Sequence, residues 1–171
     1  MSRSLALVLL LWSGAAVPQG GMAVTAARTE AAGYAVTHGL VVKNLVAQCQ
    51  RFRDRLKVEP DAALAGWRQR NAERAAAAEA YFVYAAAAIE RQEGAAAAES
   101  FNRRTRGLFR RKANDTLNDI FERTAPQPWV CEQWIDAIAQ GKTDLDWESK
   151  YLNTLDELVA FERSLRPGAG K

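Results

Sequence analysis

The sequence is poor in the residues on which most catalytic and metal centres depend. It contains one histidine, His38, and two cysteines, Cys49 and Cys131. It contains no Cys-x-x-Cys pair, no Glu-x-x-His pair, no glycine-rich phosphate loop and no Gly-x-Ser-x-Gly elbow. Many zinc, di-iron, haem, nucleotide and α/β-hydrolase sites use one of these patterns. We therefore predict no metal and no cofactor, and we rank an enzymatic role below a binding role.

Beyond residue 17 the sequence also lacks any long apolar run. Arg3 precedes an apolar stretch over residues 5–17, and mostly small residues follow it as far as Ala27. This order is typical of a secretory signal peptide, and the stretch is shorter than the ~20 residues that span a bilayer. We predict a signal peptide over residues 1–26, cleaved after Ala26, with Ala23 and Ala27 as alternative sites. A buried amino-terminal helix is the competing interpretation. The mature chain is then periplasmic or secreted and has no transmembrane segment.

Neither sign of charge is in large excess. The chain has 23 Lys and Arg against 20 Asp and Glu, a net charge of +3, and loss of Arg3 lowers that total by one. Only the distribution of such charge indicates a partner. Because an exported protein seldom meets nucleic acid, we predict no nucleic-acid partner.

The two cysteines predict a single covalent link. In an oxidising compartment an even cysteine count favours a disulfide, here between Cys49 and Cys131, and two buried free thiols are the alternative. The spacing of the two residues matches no metal-binding motif. Closing a loop of this length stabilises a fold by roughly 4 kcal/mol in the chain-entropy model.

Helical periodicity occupies residues 27–166 and leaves residues 167–171 as a loose tail. The predicted helices cover residues 34–58, 61–93, 95–123, 129–140 and 144–165, with residues 27–33 as a frayed entry. Pro60, Gly94, Pro128 and Gly141 mark boundaries, and Thr143 is the predicted cap of the last helix. The fold class is all-α: an up-down-up-down bundle of three long helices whose fourth side is made by two shorter helices, stapled by the disulfide.

The helix over residues 61–93 organises the other helices. Its apolar or small residues recur at three- and four-residue steps and so share one face. Between Ala72 and Ala98, 14 of 27 residues are alanine, the best helix former. At ~1.5 Å per residue the helix would be roughly 50 Å long, so only helices of similar length can cover its apolar face.

The most polarised stretch lies in the third predicted helix, where Phe101, Thr105 and Leu108 are expected to face the core. Its candidate binding residues are Arg103, Arg104, Arg106, Arg110 and Arg111, followed by Lys112. Such a cluster is suited to anionic lipid headgroups or a polyanionic partner. In the competing interpretation the cluster is structural, because eight acidic residues between positions 132 and 163 neutralise it.

Three polar or aromatic residues interrupt the predicted apolar faces: His38, Trp67 and Asn71. They are candidates for a small-ligand pocket between helices. Alternatively, Asn71 fixes the helix register through a buried hydrogen bond, and His38 is an ordinary packed residue. We assign the carboxylates of Asp144 and Asp146 to helix capping rather than to calcium, since no EF-hand glycine follows them.

The sequence thus predicts an exported helical interaction module that binds a protein or an anionic envelope component. The alternative is a helical protein with a small-ligand pocket near Trp67, Asn71 and His38.

Overall fold

The structure, a computed structural model, describes residues 22–147 and 149–165. Most of the predicted signal peptide (residues 1–21) and all of the predicted tail (residues 167–171) lie outside the described residues. The described chain is all-helical, and no strand occurs in it. A short 3₁₀ helix, Gln50–Arg55, follows the first helix. The α-helices are α1 (Ala26–Cys49), α2 (Pro60–Arg70), α3 (Ala72–Glu93), α4 (Ala95–Ile120), α5 (Pro128–Ala139) and α6 (Leu152–Ser164).

The first helix begins earlier than the sequence predicts. Thr25 caps α1, because its side chain accepts a hydrogen bond from the backbone N–H of Arg28 and its carbonyl accepts one from the N–H of Thr29. Ala31, Ala32 and Ala35 are almost completely buried. The expectation of a frayed entry was therefore wrong, since alanines that look featureless in the sequence let neighbouring helices approach closely.

The long organising helix is interrupted at Asn71, which lies between α2 and α3 with a φ of −102° and a ψ of 6°. The Asn71 side chain donates a hydrogen bond to the carbonyl of Trp67, one turn earlier, at 2.8 Å. A side chain that enters the backbone hydrogen-bond ladder in this way disturbs the regular helix. The prediction of one unbroken helix was wrong at this position.

The reversal at Gly94 is confirmed. Its φ of +89° lies in a region that L-residues rarely adopt, so glycine is the natural residue for this turn. The register of α4 differs from the prediction, however. Phe109 is buried, whereas the side chain of Leu108, predicted to face the core, is 42% exposed. Adjacent helix residues lie about 100° apart, so an apolar face can be centred on either residue, and the sequence does not decide between them.

The predicted disulfide between Cys49 and Cys131 is confirmed, with the two Cα atoms 5.5 Å apart. It joins the end of α1 to the first turn of α5. This position agrees with the predicted topology, in which those two helix ends lie at the same end of the bundle.

The last helix begins later than predicted, at Leu152 rather than Asp144. Residues 141–147 form turns, beginning at Gly141, whose φ is +78°. Thr143 therefore does not cap a helix, and Asp144 is not exposed in a first helical turn. Instead Asp144 is almost completely buried, and its carboxylate accepts hydrogen bonds from α2 and from Asn71.

Helix α3 packs on α1, α4 and α6, and α1 contacts each of the other five α-helices. The buried residues of α3 include Ala77, Ala78 and Tyr81, and α6 contributes Leu155 and Leu158 to the same core. Among the described residues, no helix combines the length and the apolar character that crossing a bilayer requires.

Candidate functional site

The arginine face of α4 consists of Arg103, Arg104, Arg106, Arg110 and Arg111, and all five side chains are exposed. Arg103 pairs with Glu99 one turn earlier, and the Arg104 guanidinium donates to the Ser100 hydroxyl at 2.6 Å. In residues 22–147 and 149–165, Arg106, Arg110 and Arg111 make no ion pair. Glu99 is therefore the one carboxylate among the described residues that pairs with this face.

Five of the eight acidic residues near the carboxyl terminus pair with basic residues outside the arginine face. Helix α4 packs mainly on α1 and α3, not on α5 or α6. The observed acid–base pairs of the acidic region are Glu132 with Lys57, Asp144 with Arg70, Asp146 and Asp156 with Arg74, and Glu157 with Arg28. None of these five pairs involves an arginine of the α4 face, so they do not provide the neutralisation on which a purely structural interpretation of the arginines depends.

The three candidate pocket residues lie close together and contact the turn over residues 141–147. The backbone carbonyl of Thr143 lies 2.7 Å from His38 Nε2 and accepts a hydrogen bond from Trp67 Nε1 at 2.9 Å. The Asn71 amide donates to Asp144 at 3.0 Å and accepts from the backbone N–H of Leu145 at 2.7 Å. These polar atoms hold the turn against α1 and α2.

The carboxylate of Asp144 is the centre of this polar cluster. Arg70 binds it with two nitrogens, at 2.6 and 3.1 Å, and also donates to the carbonyl of Ile138. The hydrogen bond with Asp144 raises the pKa of Arg70. Two-nitrogen binding of a carboxylate by arginine is a strong, directional contact. The cluster stabilises a turn, and its charges are balanced within the protein.

Burial lowers the pKa of His38, against the opposing effects of its contact with the Thr143 carbonyl and of the nearby Asp144 charge. A neutral imidazole that donates from Nε2 satisfies the carbonyl it faces. The ring of His38 also stacks on Tyr34, with centroids 5.5 Å apart. His38 also lines an open groove, whereas Trp67 and Asn71 are not among the residues that line it.

That groove runs between α1 and α4 and has a volume of about 880 Å³. From α1 it is lined at three- and four-residue steps by residues that include Ala26, Thr29, Gly33 and Thr37. A Cβ atom at Gly33 would lie 3.3 Å from the Phe109 ring, so glycine permits this close approach. The rest of the groove is lined by residues that include Phe101, Leu108 and Phe109 of α4, Phe82 of α3 and Tyr151, which directly precedes α6.

The sequence prediction missed this groove. Of the small residues in its α1 wall, Thr29 and Gly33 lie in the segment that was expected to be frayed, and Ala26 lies in the predicted signal peptide. The available signal was their regular spacing over positions 26, 29, 33 and 37, which is a helical period. Recognising a groove also required knowing that α4 packs beside α1, and the sequence does not specify that pairing.

In residues 22–147 and 149–165, no three His, Cys, Asp or Glu side chains group as a metal ion would require. No protein-family model matches the chain, and no curated protein or solved structure is significantly similar to it. The functional conclusion therefore depends on the geometry of the arginine face and the groove.

Proposed function

We propose that this chain is an exported, periplasmic or secreted, helical interaction module that binds an anionic component of the cell envelope through the arginine face of α4. The observation that carries the proposal is the charge of that face. Within the part of the chain that the structure describes, Glu99 is the one carboxylate paired with its five exposed arginines. An acidic protein would match the same chemistry, and it is the alternative outcome of the test below.

Export is part of the proposal, since the predicted signal peptide lies mainly outside the described residues. The Cys49–Cys131 disulfide supports it, because structural disulfides persist in oxidising compartments and are rare in the cytosol. An arginine face in that setting meets anionic phospholipids and other envelope polyanions rather than nucleic acid.

Binding by such a face is electrostatic and multivalent. Each arginine near an anionic lipid surface contributes about 1 kcal/mol, and added salt screens that contribution within a Debye length of about 10 Å at 0.1 M. The proposal thus requires strong salt dependence and a preference for anionic over neutral membranes.

The test is co-sedimentation of the disulfide-bonded protein with vesicles of phosphatidylcholine alone or mixed with phosphatidylglycerol. We expect binding to the mixed vesicles at low salt and loss of that binding as salt rises. The variant Arg103→Glu, Arg110→Glu should bind at least tenfold more weakly, because it reverses two charges on one row of the face.

The matched control is Arg53→Glu, Arg55→Glu, which makes the same change in net charge on the 3₁₀ helix. Both control arginines are exposed and make no ion pair in the described residues. The control should retain most of the binding. Equal loss in both variants would mean that overall charge, not the α4 face, governs binding. Absence of vesicle binding by every folded variant would remove the lipid target and leave an acidic protein.

A further inference from the structure

One row of the arginine face forms the outer edge of the α1–α4 groove. Arg104, Leu108, Arg111 and Asp115 follow one another at four-, three- and four-residue steps, which places them on a single stripe of α4. Leu108 and Asp115 both line the groove. Arg104 and Arg111 therefore lie on either side of the exposed Leu108, next to the groove but not among the residues that line it.

Both guanidinium groups on this edge lie toward the amino-terminal half of α4. Arg104 reaches the Ser100 hydroxyl, and a Cβ atom at Gly107 would lie 3.3 Å from a terminal nitrogen of Arg111. No carboxylate pairs with either arginine in the described residues. The two charges are about 10 Å apart along the helix axis, counted at ~1.5 Å per residue, so one anionic group between them is attracted by both.

The groove next to these arginines is apolar and aromatic. The Phe82 and Phe109 rings meet edge to face with centroids 5.0 Å apart, and Phe101 lies beside Phe82. Tyr34 and Gly33 add the facing wall from α1. A volume of about 880 Å³ lies within the range of small-molecule sites, which are mostly apolar with a few polar groups that fix orientation.

The charged residues in the rest of the groove determine how an anionic ligand is oriented in it. Asp115 and Asp119 lie one and two turns beyond Arg111 and line the groove. Glu30 is held by the Tyr151 hydroxyl and by Lys150, contacts that lower its pKa, and Lys112 lies near it. Lys112 also lines this part of the groove, where it is outnumbered by the three carboxylates of Glu30, Asp115 and Asp119. An anionic group is thus attracted at the Arg104–Arg111 edge and repelled by the net negative charge farther along the groove.

We propose that the α1–α4 groove binds a monomeric single-chain anionic amphiphile of the alkyl phosphate class. The phosphate lies between Arg104 and Arg111, and the alkyl chain passes Leu108 and packs on Phe101 and Phe109. The proposal rests on the proposed function in one respect: the arginines of α4 are the anion-binding groups. It goes further in assigning a pocket, a tail and an orientation to the ligand.

The test uses dodecyl phosphate, titrated calorimetrically below its micelle concentration into the disulfide-bonded protein. We expect saturable one-to-one binding. Octyl phosphate should bind at least tenfold more weakly, because each buried methylene raises affinity roughly fourfold. Inorganic phosphate should show no binding at the same concentrations, and dodecyltrimethylammonium should bind at least tenfold more weakly than dodecyl phosphate.

Two pairs of variants locate the site. Arg104→Gln, Arg111→Gln should weaken dodecyl phosphate binding at least tenfold, whereas Arg103→Gln, Arg106→Gln, on the other row, should change it less than twofold. Leu108→Gln should also weaken binding severalfold. Its control, Val83→Gln, replaces a 71% exposed residue on α3 and should not change the affinity. Circular-dichroism melting confirms that each variant is folded.

The proposal is overturned if dodecyl phosphate does not bind, if all variants bind it equally, or if inorganic phosphate binds as well as the amphiphile. These outcomes are separable from those of the vesicle experiment. Vesicle binding that depends on Arg103 and Arg110, without dodecyl phosphate binding, would support the proposed function and refute the proposed groove ligand. The reverse result would retain the groove ligand and remove the envelope surface as target.

Discussion

Replacing Asn71 with alanine tests whether the buried polar cluster determines the stability of the bundle. The Asn71 side chain is 1% exposed and makes three hydrogen bonds: to the Trp67 carbonyl, to the Asp144 carboxylate and from the Leu145 backbone N–H. The alanine variant loses all three. The Trp67 carbonyl still accepts a hydrogen bond from the backbone N–H of residue 71, and the Asp144 carboxylate still accepts hydrogen bonds from Arg70.

One cost comes from the Leu145 backbone N–H, which belongs to a fully buried residue and loses its acceptor, and a second comes from the lost hydrogen bond to the Asp144 carboxylate. A buried unsatisfied donor costs about 1–3 kcal/mol, and loss of a hydrogen bond to a carboxylate costs about 1.5–3 kcal/mol. The higher helix propensity of alanine returns roughly 0.5 kcal/mol. We expect a net destabilisation of about 3 kcal/mol, which corresponds to a fall in Tm of roughly 10 °C for a domain of this size.

The measurement is urea unfolding followed by circular dichroism, with the disulfide intact. Asn114→Ala is the matched control, because Asn114 is exposed on α4 and the substitution gains the same helix propensity without losing a buried contact. The control should lie within about 0.5 kcal/mol of wild type. If Asn71→Ala unfolds within about 1 kcal/mol of Asn114→Ala, the cluster is not the stabilising element that its hydrogen bonds indicate.

Three further predictions concern the disulfide, the histidine and the amino terminus. Cys49→Ala should lower the free energy of unfolding by about 4 kcal/mol under oxidising conditions and should change it little after reduction. An equal loss in both conditions would mean that the variant loses side-chain packing rather than the stabilising effect of the closed loop. Because burial lowers the folded-state pKa of His38 from 6.5, its contribution to stability is present above that pH and is lost as pH falls below it. Urea unfolding at several pH values should show this loss, and His38→Asn should flatten it; an unchanged slope would assign the titration to other groups. Amino-terminal sequencing of the protein from its host should give a start near Ala27, and an intact Met1 in a cytoplasmic fraction would disprove export. A start at Val24 would keep the Thr25 cap of α1, worth about 1 kcal/mol.

The features that the sequence predicted well depend on local chemistry. The turn at Gly94 was predictable because glycine readily adopts the positive φ found there, and the Cys49–Cys131 pairing because the chain has two cysteines. The wrong boundaries depend on tertiary contacts. Residues 144–151 resemble a helix start, but the Asp144 carboxylate binds Arg70 and Asn71 instead of capping backbone N–H groups. A carboxylate at that position fits both roles, so the sequence does not separate them.

The candidate site was predictable only in part. The arginines of α4 were evident from the sequence. Helical spacing also predicted that they form two rows, one with Arg103, Arg106 and Arg110 and the other with Arg104 and Arg111. The groove beside Leu108 was not predictable, since it depends on the register of α4 and on its packing against α1. The prediction placed Leu108 in the core, whereas the structure buries Phe109 and leaves Leu108 exposed at the groove.

The position of the disulfide divides the protein into parts that differ in how they can open. The covalent loop between Cys49 and Cys131 encloses α2, α3 and α4, whereas α6 follows it in the chain and lies outside it. Packing on α3 and α1 holds α6, together with exposed ion pairs such as Arg74–Asp156 and Arg163–Glu73. Exposed pairs contribute little. Helix α6 can therefore detach in a sub-global unfolding step that leaves the disulfide intact, and its amide hydrogens should exchange with solvent before those at the centre of α3.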